Sequence, residues 1–277
     1  MTRPDAQKTV TVVITTRNEA RNIGACLDAL EAQTVPRSSF EVILVDNNST
    51  DKTVEIAQPR ADAVYTKGPE RSAQRNYGVE VAHAPFVLYL DADMRVTPGV
   101  IAECLDAVTE DQGIVGIYIP EQVVGTGFWI AVRNFERNFY NATVIDAVRF
   151  VRRETFMALG GFDGALCGPE DWDLDRRLLA HGRLHLIAAP LMHDEGAFSF
   201  RRYLQKKAYY AQSFDAYARK WDNDATVRKQ LGFFYRFVGV FIEAGKWRRL
   251  VRHPVRAAGM YLLRFLVGCS FIWSKLR

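Results

Sequence analysis

The sharpest chemistry in the sequence is a pair of carboxylates, Asp91 and Asp93, separated by one small residue and placed directly behind the apolar run Phe86–Leu90. Two acids that close to a buried strand are costly unless a cation offsets them. Hard divalent cations take oxygen ligands, and Mg²⁺ characteristically links one or two carboxylates to the phosphates of a substrate. A second acidic group follows Gly168-Pro169, where Glu170, Asp171, Asp173 and Asp175 crowd into a predicted helix. The backbone dipole accounts for acids in a first helical turn. Asp171 and Asp175, however, are four apart on one face and repel each other without a compensating cation. A carboxylate at such a helix start suits a general base acting on an alcohol; Asp175 alternatively pairs with an arginine and serves structure. His193-Asp194-Glu195 forms a third group, read as a loop behind a strand, where imidazole with carboxylate suits Mn²⁺ or related ions better than Mg²⁺. Asp46 ends another apolar run and is positioned to accept a nucleobase N–H, unless Asp46–Asp51 is only a polar turn. Arg71 and Arg75, four apart on one helix face, either contact a diphosphate or pair with surface acids.

These groups must be delivered by the elements around them, and the pattern is an alternation of strands and helices. Thr9–Thr16, Glu41–Asp46 and Phe86–Leu90 read as buried strands, with a shorter one near Ala63–Tyr65. Helices are predicted over Asn18–Gln33, over Asp51–Gln58 behind Thr50 as N-cap, over Arg71–His83, and from Pro98 to Val108. The alternation implies an α/β fold: a mostly parallel sheet flanked by helices. In such sheets ligands bind beyond the carboxyl ends of the strands. Thr15–Arg17, Asp46–Asn48 and Asp91–Asp93 lie at those ends and are predicted to converge. Further strands are expected at Gly113–Ile119, Ala147–Arg152 and Leu184–Ala188, with helices within residues 126–141 and over Pro169–His181. From Phe200 the chain reads as helical, so a catalytic domain over residues 1–199 and a helical C-terminal region over 200–277 are expected.

Composition narrows the possibilities. With 48% hydrophobic and 25% charged residues over 277 positions, the chain is of ordinary globular type. Four scattered cysteines without a CxxC pair argue against a zinc ribbon or a thioredoxin-type site. There is no GxGxxG, no P-loop and no GxSxG motif. Met1–Lys8 is polar and lacks the apolar core of a secretory signal, and free thiols suit a reducing cytoplasm. The net charge of +4 conceals an asymmetry: residues 201–277 hold 17 Lys/Arg against 4 Asp/Glu. A basic tail on an acidic body points to an anionic membrane, a phosphorylated partner or a nucleic acid, or to a solvated helical face. No zinc finger or RNP-like motif is present, so no nucleic acid is expected. The run Gly259–Trp273 is interrupted by Arg264 and falls short of the roughly 20 residues of a membrane span. Preceded by Arg248, Arg249, Arg252 and Arg256, it predicts a helix lying on an anionic membrane surface, or else one packed on the catalytic domain or in an oligomer interface. The aromatic stretch Phe128–Tyr140 is a candidate apolar acceptor groove.

Taken in order, VVITTRNEARNIGACLDAL, EVILVDNNSTDKT, AQRNYGVEVA, FVLYLDAD, GGFDGALCGPEDWDLDRRLLAHG and MHDEG resemble a family 2 glycosyltransferase with the GT-A fold, from Val10 to about Glu195. The resemblance implies transfer of a sugar, with inversion, from a UDP- or GDP-sugar to a hydroxyl or phosphate acceptor, a glycan or lipid-linked one among the options, with Mn²⁺ or Mg²⁺ as cofactor. It implies that Thr15, Arg17 and Asp46 line the base pocket, Arg17 standing where an aromatic residue is common. Asp91 would lie near the ribose, with Arg71, Arg75 and Asn76 on the nucleotide side. Asp93 would bind the metal, joined by His193 as a metal or diphosphate ligand. Asp171 would be the base, beside Glu170 in substrate binding. It further implies a cytoplasmic enzyme, peripheral on the inner membrane face if the tail binds lipid. A sugar nucleotidyltransferase and a catalytically silent nucleotide-sugar-binding protein are the alternatives.

Overall fold

The computed structural model describes residues 8–275. The polar start, residues 1–7, and residues 276–277 lie outside the described residues, as do the side chains of 271–275 at the end of the run Gly259–Trp273. In chain order the elements are β1 (Val10–Thr16), α1 (Ile23–Glu31), β2 (Phe40–Asp46), α2 (Thr53–Ala57), β3 (Ala63–Thr66), α3 (Arg71–Glu80), β4 (Phe86–Asp91), β5 (Met94–Val96) and α4 (Val100–Glu110). There follow β6 (Ile114–Tyr118), β7 (Glu121–Thr126), α5 (Phe128–Arg137), β8 (Val148–Arg152), α6 (Arg153–Ala158), α7 (Glu170–Leu179), β9 (Arg183–Leu186) and β10 (Leu191–Ala197). The remainder is helical: α8 (Phe200–Ala211), α9 (Phe214–Lys220), α10 (Ala225–Leu231), a π-helical turn at Tyr235–Gly239, α11 (Val240–Ile242), α12 (Trp247–Arg252) and α13 (Pro254–Lys275).

The chain forms two compact units, each drawn from separate stretches of the sequence. One takes the chain up to Pro120 together with Ala147–Gly164 and Asp173–Asp194; the other takes Glu121–Asp146, Ala165–Trp172 and the chain from Glu195 onward.

The first unit is built on a seven-stranded sheet of order β3-β2-β1-β4-β8-β6-β9. β1 pairs in parallel with β2 and β4, β2 with β3, and β6 with β9, while β8 runs antiparallel between β4 and β6. Successive residues of β1 serve opposite faces. Val10, Val12 and Ile14 pack with Leu27 and Leu30 of α1 and Ile101 and Cys104 of α4. Val13 packs with Val79 of α3 and Leu174 and Leu178 of α7. Both faces are covered, which is why these strands read as unbroken apolar runs. Helix α3 approaches β1 through Gly78, where a Cβ would lie 2.3 Å from Val13 Cγ1.

The second unit has its own core, in which Val132, Phe135 and Phe139 meet Trp172, Tyr217, Phe241, Met260 and Leu263. The stretch Phe128–Tyr140, expected to line an acceptor groove, therefore contributes Phe135 and Phe139 to a packed interior. Along α13 the opposite side stays in solvent: Val255 is 68%, Leu262 48% and Phe265 62% exposed. No helix among the described residues is long and apolar enough to cross a membrane.

Candidate active site

The parallel register assembles the first part of the site. Thr15 lies opposite Asp91 and Thr16 opposite Asp46, so three strand ends bring their polar residues into one row. Behind them the loops are laced together. Asn18 takes a left-handed backbone (φ 56°), donates its N–H to Ser49 Oγ at 2.8 Å, and accepts Thr50 N at 2.7 Å. Glu19 N and Ala20 N donate to Thr53 Oγ1 and Asp51 Oδ2. This lacing uses residues 18–20 as loop, so α1 begins at Ile23 and not at Asn18. Thr50 is likewise drawn into the lacing and does not cap α2, which starts at Thr53. Gln74, buried on α3, ties the ends of β1 and β2 by donating to Thr16 O (3.0 Å) and Val45 O (2.7 Å).

Asp46 is buried and turns its carboxylate onto its own loop, accepting Ser49 N at 2.7 Å and Ser49 Oγ at 2.5 Å. A carboxylate has about four acceptor sites, so capacity for a further N–H remains. The Thr15 hydroxyl donates to Asp91 Oδ1 at 2.9 Å. Thr16 Oγ1, by contrast, is buried with no hydrogen-bond partner among the described residues. Arg17 is exposed.

Asp91 is the electrostatic centre of this row. Arg75 Nη2 donates to its Oδ1 at 2.9 Å, and Arg71 Nη1 lies 3.6 Å from its Oδ2. Burial alone would raise the Asp91 carboxyl. The Arg75 guanidinium, then Arg71 and Arg149, outweigh it and hold the group well below the usual carboxylate range. Arg75 is 1% exposed, and its guanidinium lies 5.1 Å from the Tyr89 ring and 5.4 Å from the Phe162 ring, which meet edge to face. The acid that Arg71 and Arg75 meet is an internal one, Asp91, and not one of the surface acids expected for them. Asn76 is committed to the backbone of Phe162, donating to its O and accepting its N–H, both at 2.8 Å.

Asp93 stands in the turn between β4 and β5. The antiparallel pairing of β10 on β5 sets His193 opposite Met94, and Asp194 N donates to Asp93 O at 2.9 Å. His193 therefore sits on a strand, not in the expected loop, with its Nε2 3.2 Å from Asp93 Oδ2. Asp93 Oδ1 is buried and has no hydrogen-bond partner among the described residues. Nearby, the Glu19 carboxyl is raised, first by burial and then, against the lowering hydrogen bond from Asn22, by the negative charges of Asp93 and Asp91. A negative field, an orphaned carboxylate oxygen and an imidazole suit a divalent cation that completes its shell with substrate phosphates. No cluster of three or more His, Cys, Asp or Glu side chains that could hold a metal ion occurs among the described residues.

The acids of α7 separate by role. Asp173 pairs with Arg177 at 2.7 Å, and Arg177 also holds Leu159 O and Gly161 O. Asp175 accepts Val148 N. Both serve the framework of the first unit. Glu170 and Asp171 belong with the second unit, in the segment Ala165–Trp172. That segment is held by Ser213, which exchanges hydrogen bonds with Cys167 N and O, and by Trp172 stacked 6.0 Å from Phe214. At Gly168 (φ 102°) a Cβ would lie 2.7 Å from Tyr210 Cβ, so only glycine lets the segment lie against α8.

A mostly parallel sheet with loop-borne carboxylates at its strand ends defines a GT-A-type α/β protein. The sequence profile of glycosyl transferase family 2 matches residues 11–161, more than half of the chain, and the chain belongs to that family. It is 38% identical over 91 residues to the glycosyltransferase AglE of Haloferax volcanii, a match covering 30% of each chain, so it spans under a third of that relative's length. It is 25% identical over 198 residues to a PGL/p-HBAD biosynthesis glycosyltransferase of Mycobacterium tuberculosis (64% of this chain, 74% of the relative). Among solved structures it is similar to the mannosyltransferase PcManGT of Pyrobaculum calidifontis in complex with GDP-Man and Mn2+ (TM-score 0.62, 19% identity, 98% of this chain and 84% of that one). It is also similar to S. aureus TarS 1-349 in complex with UDP-GlcNAc (TM-score 0.58, 17% identity, 88% and 79%) and to a longer TarS chain of which it covers 46%.

Proposed function

We propose that the protein is an inverting glycosyltransferase that moves a sugar from a UDP- or GDP-sugar to a hydroxyl or phosphate of a glycan or lipid-linked acceptor. The observation that carries this reading is the row of strand-end groups: Thr16 with Asp46, Thr15 with Asp91, and Asp93 with His193 beyond them. In this reading Asp46 accepts a base N–H through its unspent acceptor sites, and the Thr16 hydroxyl offers a second contact. Arg17, exposed at the rim, faces the base. Asp91 holds Arg75 and Arg71 in place, and Arg71, partly exposed, is the one directed to the nucleotide. Asn76 positions the Phe162 turn. Asp93 and His193 would hold a divalent ion, which when bound offsets charge on the departing diphosphate. Asp171 takes the acceptor proton, with Glu170 beside it. With Asp171 as the one base, a single displacement gives inversion; a double displacement would need a second, nucleophilic carboxylate.

The similar structures in complex with GDP-Man and Mn2+ and with UDP-GlcNAc support the donor class and the metal. A membrane-side acceptor is supported by the exposed apolar stripe Val255, Leu262 and Phe265 on α13, preceded by exposed Arg248, Arg252 and Arg256. The test is a screen of nucleotide-sugars for nucleoside diphosphate release, with Mn²⁺, with Mg²⁺ and with chelator. Metal-dependent release from a UDP- or GDP-sugar is expected. No release from nucleotide-sugars, with inorganic diphosphate formed instead from a nucleoside triphosphate and a sugar 1-phosphate, would establish a nucleotidyltransferase, and no turnover with donor bound would establish a silent binding protein.

A further inference from the structure

The second unit encloses more positive than negative charge, and the surplus sits at one place. Helix α5 supplies Arg133 and Glu136, α8 supplies Tyr203 and Lys207, the π-helical turn supplies Arg236, and α13 supplies Arg264. The two carboxylates within reach are already used. Glu136 accepts from Arg133 at 2.8 Å and from Arg264 and Tyr140, and Glu195 accepts from Arg133 at 3.1 Å. Arg264, 8% exposed, also donates to Arg236 O and keeps a buried Nε with no partner among the described residues. That leaves the Lys207 ammonium and the Arg236 guanidinium. Both are only partly exposed. Each has an aromatic contact, Lys207 with Tyr203 at 5.5 Å and Arg236 with Trp172 at 5.5 Å, and neither has an ion pair or side-chain hydrogen bond among the described residues.

Removing cations from water without a counter-ion is unfavourable. The strain registers on both groups: burial and then the Arg133 charge push Lys207 down to about 7, and burial and then Arg264 lower Arg236. Lys207 and Arg133 share the Tyr203 ring, Arg133 and Arg264 share Glu136, and Arg264 holds Arg236 O, so the four cations belong to one network. Such a cluster matches a doubly charged tetrahedral anion, which Arg meets with its planar fork and Lys as a point charge. The place is telling, because the ring on which Arg236 lies is Trp172, the residue directly after Asp171.

We propose that Lys207 and Arg236, backed by Arg133 and Arg264, bind a phosphoryl group carried by the acceptor substrate. The inference rests on the glycosyltransferase reading for the word acceptor. The site itself stands on the charge imbalance.

The test measures binding without any donor. Octyl phosphate, octanol and inorganic phosphate are titrated calorimetrically into the full chain, and nucleoside diphosphate release from the donor into water is followed separately, so failure of the donor chemistry and failure of this site are told apart. Octyl phosphate is expected to bind at least tenfold tighter than either control. K207M and R236Q should each weaken it tenfold or more, and K207R should restore it. A purely structural cation would lower the melting temperature when removed. Here K207M is expected to leave it unchanged or raise it, because an uncompensated charge has been removed from a desolvated place. Equal binding of octanol, equal binding of inorganic phosphate, or unchanged affinity in folded K207M and R236Q would each overturn the proposal.

Discussion

Arg75→Met tests whether Asp91 is organised by its arginines. The substitution keeps much of the aliphatic stem beside Tyr89 and Phe162 and removes the charge. The pair is well enclosed, with Arg75 1% and Asp91 19% exposed, and truncating one partner of such a pair costs about 3–5 kcal/mol. Arg71 at 3.6 Å and Arg149 remain near Asp91, which argues for the lower end, about 3 kcal/mol. At roughly 2–4 °C per kcal/mol for a protein this large, the melting temperature should fall by about 6–12 °C at pH 7. The pH dependence follows from the depressed carboxyl. Its stabilisation is present above the ordinary carboxylate pKa of about 4 and disappears only as pH falls through the folded-state value, which lies below that range. In the variant burial is less opposed, so the loss should begin at higher pH. Urea melts by tryptophan fluorescence at pH 7, 5 and 4, on Arg75→Met, Asp91→Asn and the double variant, complete the cycle. The double variant should lose clearly less than the sum of the singles. Additivity within about 0.5 kcal/mol would show that the two do not act as a unit and would refute the reasoning.

Three further outcomes are expected. Asp93→Ala should abolish metal-stimulated release of nucleoside diphosphate and the Mn²⁺-induced rise in melting temperature, and His193→Ala should weaken both less; a fully active Asp93→Ala enzyme in chelator would exclude a metal role. Asp171→Asn should reduce turnover by about 10²–10⁴ while donor affinity in equilibrium binding is kept, the usual scale for a positioned base; lost affinity with preserved turnover would make it a binding residue. Leu262→Ser with Phe265→Ser should weaken sedimentation with anionic liposomes at unchanged melting temperature, since both side chains are already in solvent, and unchanged sedimentation would remove the stripe from lipid binding.

The first unit was legible because its strands are buried on both faces, and β1, β2 and β4 announce themselves as apolar runs ending in polar residues. What escaped was whatever depends on pairing across the chain. β10 reads LMHDEGA, with no alternation to mark it as a strand, and its place in a three-stranded sheet makes it one. Arg264 reads as an interruption of an apolar helix. Its partner Glu136 lies 128 positions away, beyond any local pattern. Among the acids of α7, the pairing of Asp173 with Arg177 follows from i,i+4 spacing, whereas the bond from Val148 N to Asp175 joins positions 27 apart and leaves no local pattern. Gln74 and Asn76 carry no special spacing, yet their amides close strand ends and a turn. Polar side chains that serve backbone groups leave no periodic trace.

The ladder between β5 and β10 makes the Asp93–His193 pair sensitive to chain length in an all-or-none way. The two residues are 100 positions apart, yet they meet because Met94 faces His193 in the register. Side chains alternate across a strand, so a slip of one residue would present Met192 or Asp194 where the imbedded imidazole now stands and turn His193 to the other face. A slip of two would restore the face and place a different residue there. A single-residue insertion or deletion in the connection Ile187–Pro190 should therefore separate Asp93 from His193 while the seven-stranded sheet keeps its order, so length there is constrained as tightly as residue identity at the two positions.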